Sequence, residues 1–108
     1  MDWIPLDDIS QLETIRAKSF EIPQIIFKHS TRCSISKMIL NRLEKSTPPT
    51  GADLYFLDLI KYRNISNQIA TDYGVEHESP QVIVIKDGKA IYDASHSAVH
   101  MEDIAAQV

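Results

Sequence analysis

Cys33 is the only cysteine in this chain of 108 residues, and it is the residue best suited to covalent chemistry. An apolar run and a short polar turn precede it, and the apolar periodicity of a helix begins directly after it. Unpaired backbone N–H groups and the positive end of the helix dipole stabilise a thiolate at such a position. Arg32 and Lys37 would add positive charge. We therefore predict a reactive thiol, with a small buried apolar side chain as the alternative.

Ser36 stands three residues after Cys33, where a dithiol oxidoreductase would place its second cysteine. A hydroxyl can donate a hydrogen bond to a thiolate, but it cannot close a disulfide. Any mixed disulfide formed on Cys33 must therefore be resolved by another molecule. Stabilising a thiolate increases its rate of attack only modestly, because nucleophilicity falls at the same time, but it makes the sulfur a better leaving group. The pattern favours a carrier of transient mixed disulfides.

Other residues near Cys33 are predicted to stabilise the thiolate. His29 lies four residues before the cysteine, close enough in the turn to tune the thiol or to form a local hydrogen bond. Ser34, which follows the cysteine directly, would contribute a backbone N–H group at the helix start. With Arg32 and Ser36, these residues form the predicted thiolate-stabilising set.

The dipeptide Ser79-Pro80 precedes the strongest strand signal of the chain, a β-branched run that begins at Gln81. A cis proline before this strand would lie opposite the cysteine, and the backbone of Ser79 could then pair with an extended substrate. We predict a substrate groove formed by Thr31, Ser79 and Pro80. The alternative is a trans proline that only begins the strand.

The remaining histidines carry weaker predictions. His96 and His100 have the spacing of two metal ligands on one helical turn, but no helix is secure at His96 and no further ligand cluster is visible. We therefore predict no metal site. His77 is predicted to be a surface loop residue.

Apolar periodicity gives the order of elements that must position these residues. Strands are predicted by two buried apolar runs, by a terminal hairpin with an Asp-Gly turn and by a short edge segment. Helices are predicted by four stripes of apolar residues in the remaining segments. The predicted strands are Trp3–Leu6, Gln24–Lys28, Asp53–Asp58, Gln81–Lys86 and Lys89–Asp93. The helical stripes are Ile9/Leu12/Ile15, Ile35/Met38/Ile39/Leu43, Tyr62/Ile65/Ile69/Tyr73 and Met101/Ile104/Ala105/Val108. Right-handed crossovers then place helices on both faces of a mixed sheet of four to five strands, an α/β, thioredoxin-like fold in a single domain, residues 1–108.

Composition excludes several classes of function. The 15 acidic and 11 basic residues give a net charge of −4, which disfavours nucleic-acid binding. The apolar runs are too short to span a membrane. The first residues lack the basic and apolar regions of a secretory signal, so we expect a cytoplasmic protein. A single cysteine also excludes an intramolecular disulfide and a CxxC metal knuckle.

Several segments resemble the monothiol bacilliredoxins of the bacillithiol system, and the similarity spans nearly the whole chain. They are Trp3-Ile4-Pro5-Leu6, Phe27-Lys28-His29-Ser30-Thr31, Cys33-Ser34-Ile35-Ser36, Ser79-Pro80-Gln81 and Ser95-His96-Ser97. The family usually has Thr-Cys-Pro-Ile-Ser at the cysteine. This chain has Arg32 in place of the threonine and Ser34 in place of the proline, which adds an N–H donor near the sulfur and removes rigidity.

The resemblance implies that Cys33 removes bacillithiol, or a similar small thiol, from S-thiolated client proteins. It implies a small thiol as co-substrate and no tightly bound cofactor. A non-catalytic thioredoxin-fold adaptor or binding module of the stress response is the alternative. An iron–sulfur glutaredoxin is disfavoured because the Cys-Gly-Phe-Ser motif is absent. A cysteine phosphatase is disfavoured because Ile39 stands where its phosphate loop needs arginine.

Overall fold

Strand β2 (Gln24–His29) lies at the centre of a five-stranded mixed sheet in the computed structural model, which describes all 108 residues. The strand order is β1-β3-β2-β4-β5. Strands β1 and β2 run parallel to β3, β4 is antiparallel to β2, and β5 is antiparallel to β4. The other elements are β1 (Ile4–Pro5), α1 (Gln11–Lys18), α2 (Ser34–Glu44), β3 (Asp53–Asp58), α3 (Arg63–Tyr73), β4 (Gln81–Lys86), β5 (Lys89–Ser95), a 3-10 turn (His96–Ala98) and α4 (Met101–Ala105).

Helices cover both faces of the sheet, which confirms the predicted α/β, thioredoxin-like arrangement. Side chains alternate along β2, so Ile26 packs in the core under α1 and α3, whereas Ile25 and Phe27 pack in the core under α2 and α4. All six residues of β2 are buried, because the strand is paired on both edges and covered on both faces. None of the helices is long and apolar enough to cross a membrane.

The buried stripe of α2 differs from the predicted stripe at its first two positions. Ile39 and Leu43 are buried as expected, but Ile35 and Met38 are 45% and 51% exposed. Ser36 takes the inward position of the first turn, since it lies three residues before Ile39 on the same helical face. The first two turns of α2 therefore present two apolar side chains to solvent, and the first turn buries a hydroxyl.

The Asp-Gly hairpin joins β4 to β5 as predicted. Asp87 and Gly88 have φ values of 53° and 74°, the left-handed conformations that a two-residue type I′ turn requires. The register shifts near Val84, where an irregularity in the ladder leaves Ile91 exposed. Helix α3 ends at Gly74, which has φ 63° and forms the expected left-handed cap.

Phe27 links the core to the edge of the sheet, and its loss should destabilise the fold strongly. Its buried ring lies 5.8 Å from that of Trp3 and 6.2 Å from that of Phe56, measured between ring centroids. We expect Phe27→Ala to lower the free energy of unfolding by about 3 to 5 kcal/mol in urea denaturation. Phe20→Ala is the matched control. Phe20 is 58% exposed, so its truncation should change stability by less than about 0.5 kcal/mol. Equal losses in the two variants would contradict this description of the core.

Candidate active site around Cys33

Cys33 is the N-cap residue of α2 and has an extended backbone, with φ −110° and ψ 118°. Its N–H group donates to the carbonyl of Ser30 at 3.2 Å, and its carbonyl accepts the N–H of Lys37 at 3.1 Å. These backbone bonds fix the turn between β2 and the helix. The thiol itself makes no capping hydrogen bond and the residue is half-buried, so the sulfur is held at a defined place and remains accessible.

The sheet topology brings Cys33 and Pro80 to the same edge. Strands β2 and β4 are antiparallel, and Lys28 near the end of β2 pairs with Gln81 at the start of β4. Cys33 follows the end of β2, and Pro80 directly precedes the start of β4. The predicted site is therefore assembled from two loops that are far apart in sequence.

The Ser79-Pro80 peptide bond is cis, as predicted. The Pro80 carbonyl accepts the His96 N–H at 2.9 Å, which ties this loop to the end of β5. Neither the N–H nor the carbonyl of Ser79 makes a backbone hydrogen bond within the chain. Ser79 thus has the free backbone groups that strand addition needs, while its buried hydroxyl is also unpartnered.

Ser36 is fully buried and bonded away from the sulfur. Its Oγ accepts the N–H of Ser30 at 3.0 Å and lies 2.8 Å from Nδ1 of His29. The expected hydrogen bond from this hydroxyl to the Cys33 thiolate is absent. Ser36 instead connects the first turn of α2 to the end of β2, so any influence on the sulfur passes through the backbone of the turn.

His29 is a buried partner of Ser36 rather than a direct neighbour of the thiol in the turn. Its ring lies 5.4 Å from that of Phe56 and 6.1 Å from that of Phe27, between centroids. Burial lowers the pKa of His29; the charge of Asp58 opposes this shift and that of Lys37 adds to it. His29 is consequently neutral at pH 7 and contributes a hydrogen bond, not a charge.

The rim of the site is polar and positively charged. Thr31, Arg32 and Ser34 are exposed around the half-buried cysteine. The two ion pairs of the protein, Lys18 with Asp53 and His96 with Glu78, leave Arg32 and Lys37 unpaired. The cations predicted to act on the thiolate are therefore free to interact with it or with a bound anion.

The other histidines occupy separate environments. His96 lies in a 3-10 turn and His100 is extended at the start of α4, so the two do not share a helical turn. His77 lies in the loop after α3, as predicted for a loop residue. It is half-buried, with Nδ1 3.1 Å from Oγ of Ser66, and burial lowers its pKa.

Sequence reasoning missed a set of buried polar residues on the opposite face of the sheet, Lys28, Ser66 and Gln81. The only available signal was Lys28 itself, a lysine at the end of an apolar strand, where it resembles an ordinary exposed terminus. Its burial results from pairing on both sides and from the cover that α3 provides, neither of which is visible locally.

Cys33 does not line a deep pocket. Two concave pockets of about 330 Å³ and 350 Å³ lie elsewhere, one between α2 and α4 beside Arg42 and His100, the other near Ile4 and Pro49. The cysteine is presented on an open surface, which suits contact with a macromolecule better than enclosure of a small ligand.

Solved structures of other proteins have the same fold as this chain. A solved structure described as a proposed oxidoreductase with a thioredoxin fold is 27% identical, covering 95% of this chain and 90% of that one, with a TM-score of 0.82. Thioredoxin from Malassezia sympodialis is 20% identical, covering 98% and 87%, with a TM-score of 0.72. Thioredoxin from Fasciola hepatica is 14% identical, covering 95% and 96%, with a TM-score of 0.74.

The fold and the cysteine at the start of α2 define a thiol oxidoreductase of the thioredoxin class. A family model described as monothiol bacilliredoxin BrxC matches residues 4–104. The chain belongs to the monothiol bacilliredoxin family.

Removing the Ser36 hydroxyl should destabilise the fold, because the Ser30 N–H and the His29 ring nitrogen would lose a buried partner. We expect Ser36→Ala to lower the free energy of unfolding by about 1 to 3 kcal/mol. Ser34→Ala is the control, since Ser34 is exposed and should change stability by less than about 0.5 kcal/mol. Urea denaturation of both variants measures the difference, and equal effects would contradict the assignment of the buried bonds.

The buried His29 and the half-buried His77 should make the fold sensitive to mild acid. Burial lowers the pKa values of His29 and His77 from their usual 6.5, so the unfolded chain binds more protons just below that pH. The free energy of unfolding should therefore fall as pH drops through about 6.5. In a His29→Asn/His77→Asn variant, an amide occupies the position of each Nδ1, and the pH dependence between about pH 7.5 and 5.5 should be shallower. Identical slopes in urea titrations would show that these histidines do not contribute.

Proposed function

We propose that Cys33 removes a small thiol from S-thiolated client proteins by monothiol exchange. The Cys33 thiolate attacks the small-thiol sulfur of a protein mixed disulfide. A disulfide forms between Cys33 and the small thiol, the client disulfide breaks, and the client sulfur leaves as a thiolate that takes a proton from water. The step is an exchange, so no net oxidation or reduction occurs.

One observation carries this proposal: the only thiol of the chain stands at the N-cap of α2, at the sheet edge where the backbone of Ser79 is unpaired. The first α2 turn directs N–H groups toward this end, and Arg32 and Lys37 are unpaired cations nearby. We propose that these groups interact with the sulfur as it reacts. The free N–H and carbonyl of Ser79 can hold an extended client segment beside the sulfur.

The absence of a second thiol determines how the cycle ends. Ser36 stands at the position of a resolving cysteine, and its hydroxyl is committed to His29 and Ser30. The Cys33 adduct must wait for a second small thiol or for a reductase. Attack on the small-thiol sulfur from outside breaks its bond to Cys33 and releases the Cys33 thiolate.

The surface around Cys33 suits a protein client. Neither pocket includes the cysteine, and Ile35 and Met38 present apolar side chains from the first turns of α2. Of the predicted groove residues, the exposed Thr31 and the half-buried Ser79 would meet the client, whereas Pro80 is buried. Exposed apolar side chains with free backbone groups beside them are typical of peptide docking.

Family membership supports bacillithiol as the small thiol, and the unpaired Arg32 and Lys37 suit a thiol that carries negative charge. No tightly bound cofactor is needed, since the electrons stay within the sulfur atoms exchanged. The reaction requires a compartment in which small thiols are kept reduced, and we propose the cytoplasm.

The test uses one client protein with a single cysteine, modified in parallel with bacillithiol or glutathione. Wild type should acquire the mass of the small thiol at Cys33 and release the client thiol, and release should be faster from the bacillithiol adduct. Cys33→Ser should acquire no adduct and should release the client no faster than buffer alone. Intact mass spectrometry follows both proteins.

Two results would reject the proposal. One is release by Cys33→Ser at the wild-type rate, and the other is a wild-type protein that binds the client but never carries the small thiol. The second result would favour the non-catalytic adaptor. A preference for glutathione would retain the exchange reaction and reject bacillithiol as the favoured thiol.

A further inference from the structure

A buried polar cluster lies under the loop that leads from α3 to Pro80, on the face of the sheet opposite His29. Lys28 and Ser66 are 0% exposed and Gln81 is 1% exposed. Lys28 and Gln81 are direct neighbours across the β2–β4 ladder. The Lys28 Nζ donates to the backbone carbonyl of Ser66 at 3.3 Å. The three residues therefore connect β2, α3 and β4 inside the fold.

This cluster holds the loop of residues 75–80 at two points. Oγ of Ser66 lies 3.1 Å from Nδ1 of His77. Nε2 of Gln81 donates to the backbone carbonyl of Glu76 at 2.9 Å. The same loop ends in the Ser79-Pro80 edge, so its path is fixed from within the protein on the side away from solvent.

The charge of Lys28 has no carboxylate partner, since the ion pairs of the protein involve Lys18 and His96 instead. Burial lowers the pKa of Lys28 to about 8, and the charge of Arg63 acts in the same direction. The charges of Lys28 and Arg63 also help to lower the pKa of His77. A buried ammonium with one backbone acceptor is less favourable than an apolar side chain of similar volume. Its presence here is not explained by stability.

The amide of Gln81 gives the charge a specific effect. Its Oε1 is buried and has no hydrogen-bond partner, while its Nε2 faces the Glu76 carbonyl. No hydrogen bond joins Lys28 to this amide, but the two side chains lie on the same face of the sheet because the residues are paired across β2 and β4. The positive charge of Lys28 would attract the oxygen end of the amide across the ladder, and loss of the charge would remove that attraction.

We propose that Lys28 is a positioning residue, whose buried ammonium orders Ser66 and Gln81 so that they hold residues 75–80 and fix the Ser79-Pro80 edge for docking of a client protein. The docking role rests on the proposed function. The anchoring of the loop does not, because it depends only on contacts within the fold.

The test compares Lys28→Met with Lys18→Met. Both variants lose one positive charge, but the Lys18 side chain is 43% exposed and is paired with Asp53 near the starts of β2 and β3. In Lys28→Met we expect amide hydrogen exchange at His96, whose N–H donates to the Pro80 carbonyl, to accelerate by about tenfold, with thermal stability equal to or above that of wild type. We expect the KM for an S-bacillithiolated client to rise by about fivefold, with kcat within about twofold of wild type. The rate of Cys33 with a small aromatic disulfide should not change. Lys18→Met should alter none of these kinetic or exchange values.

Each other outcome decides against part of the proposal. Unchanged exchange at His96 would overturn the anchor, and faster exchange with an unchanged KM would overturn its role in docking. Equal losses with the client and with the small disulfide would mean that Lys28 acts on Cys33 itself, which also overturns it. If wild type reacts with the small disulfide but not with the client, the proposed function fails, while exchange still decides the anchor. Ser66→Ala, which removes the bond to His77 and keeps Lys28, should also accelerate exchange, and unchanged exchange in this variant would overturn the anchor even if Lys28→Met does not fold.

Discussion

Strand β2 is hydrogen-bonded on both sides and covered on both faces, so its last two residues, Lys28 and His29, are buried although both side chains can carry a charge. Each must therefore find polar partners inside the protein. Because neighbouring residues of a strand point to opposite faces, Lys28 contacts Ser66 in α3, and His29 contacts Ser36 in α2. The two loops that form the candidate site leave the sheet at this point. The hydrogen bonds that Lys28 and His29 make at the buried end of β2 thus help to position both the turn that carries Cys33 and the loop that ends at Pro80.

The first turn of α2 shows how this requirement changes ordinary amphipathic packing. An apolar residue at the inward position would add to the core, but Ser36 occupies it and bonds to His29 and to the Ser30 N–H. The apolar side chains of Ile35 and Met38 are consequently turned to solvent beside Cys33. One arrangement therefore fixes the start of the helix that carries the thiol and provides an apolar surface next to it. A second cysteine in place of Ser36 would provide internal resolution of a disulfide, whereas the hydroxyl makes the protein depend on an external thiol.

Much of the fold follows from local patterns, and these were predicted well. The alternation and β-branched content of the strands, the Asp87-Gly88 turn and Gly74 at the end of α3 each reflect a preference of the residues concerned. The position of Cys33 between a strand and a helix is local in the same sense. The contact of His77 with Ser66, the exposure of Ile35 and the polar cluster around Lys28 were not predicted, because each depends on which element packs over the residue.

The amino-acid sequence by itself determined which groups are available for chemistry: one thiol at Cys33, a hydroxyl three residues later at Ser36, and Pro80 directly before a predicted strand. Those are properties of residue type and spacing, and they restrict the thiol to exchange that another molecule must complete. Only the tertiary structure decided that Ser36 faces His29 instead of the sulfur, that the Ser79 backbone is unpaired, and that Lys28 is buried beneath the same loop. These features arise where β2, β3 and β4 pair and the helices cover them, and long-range pairing determines which polar groups lose water and which partners replace it.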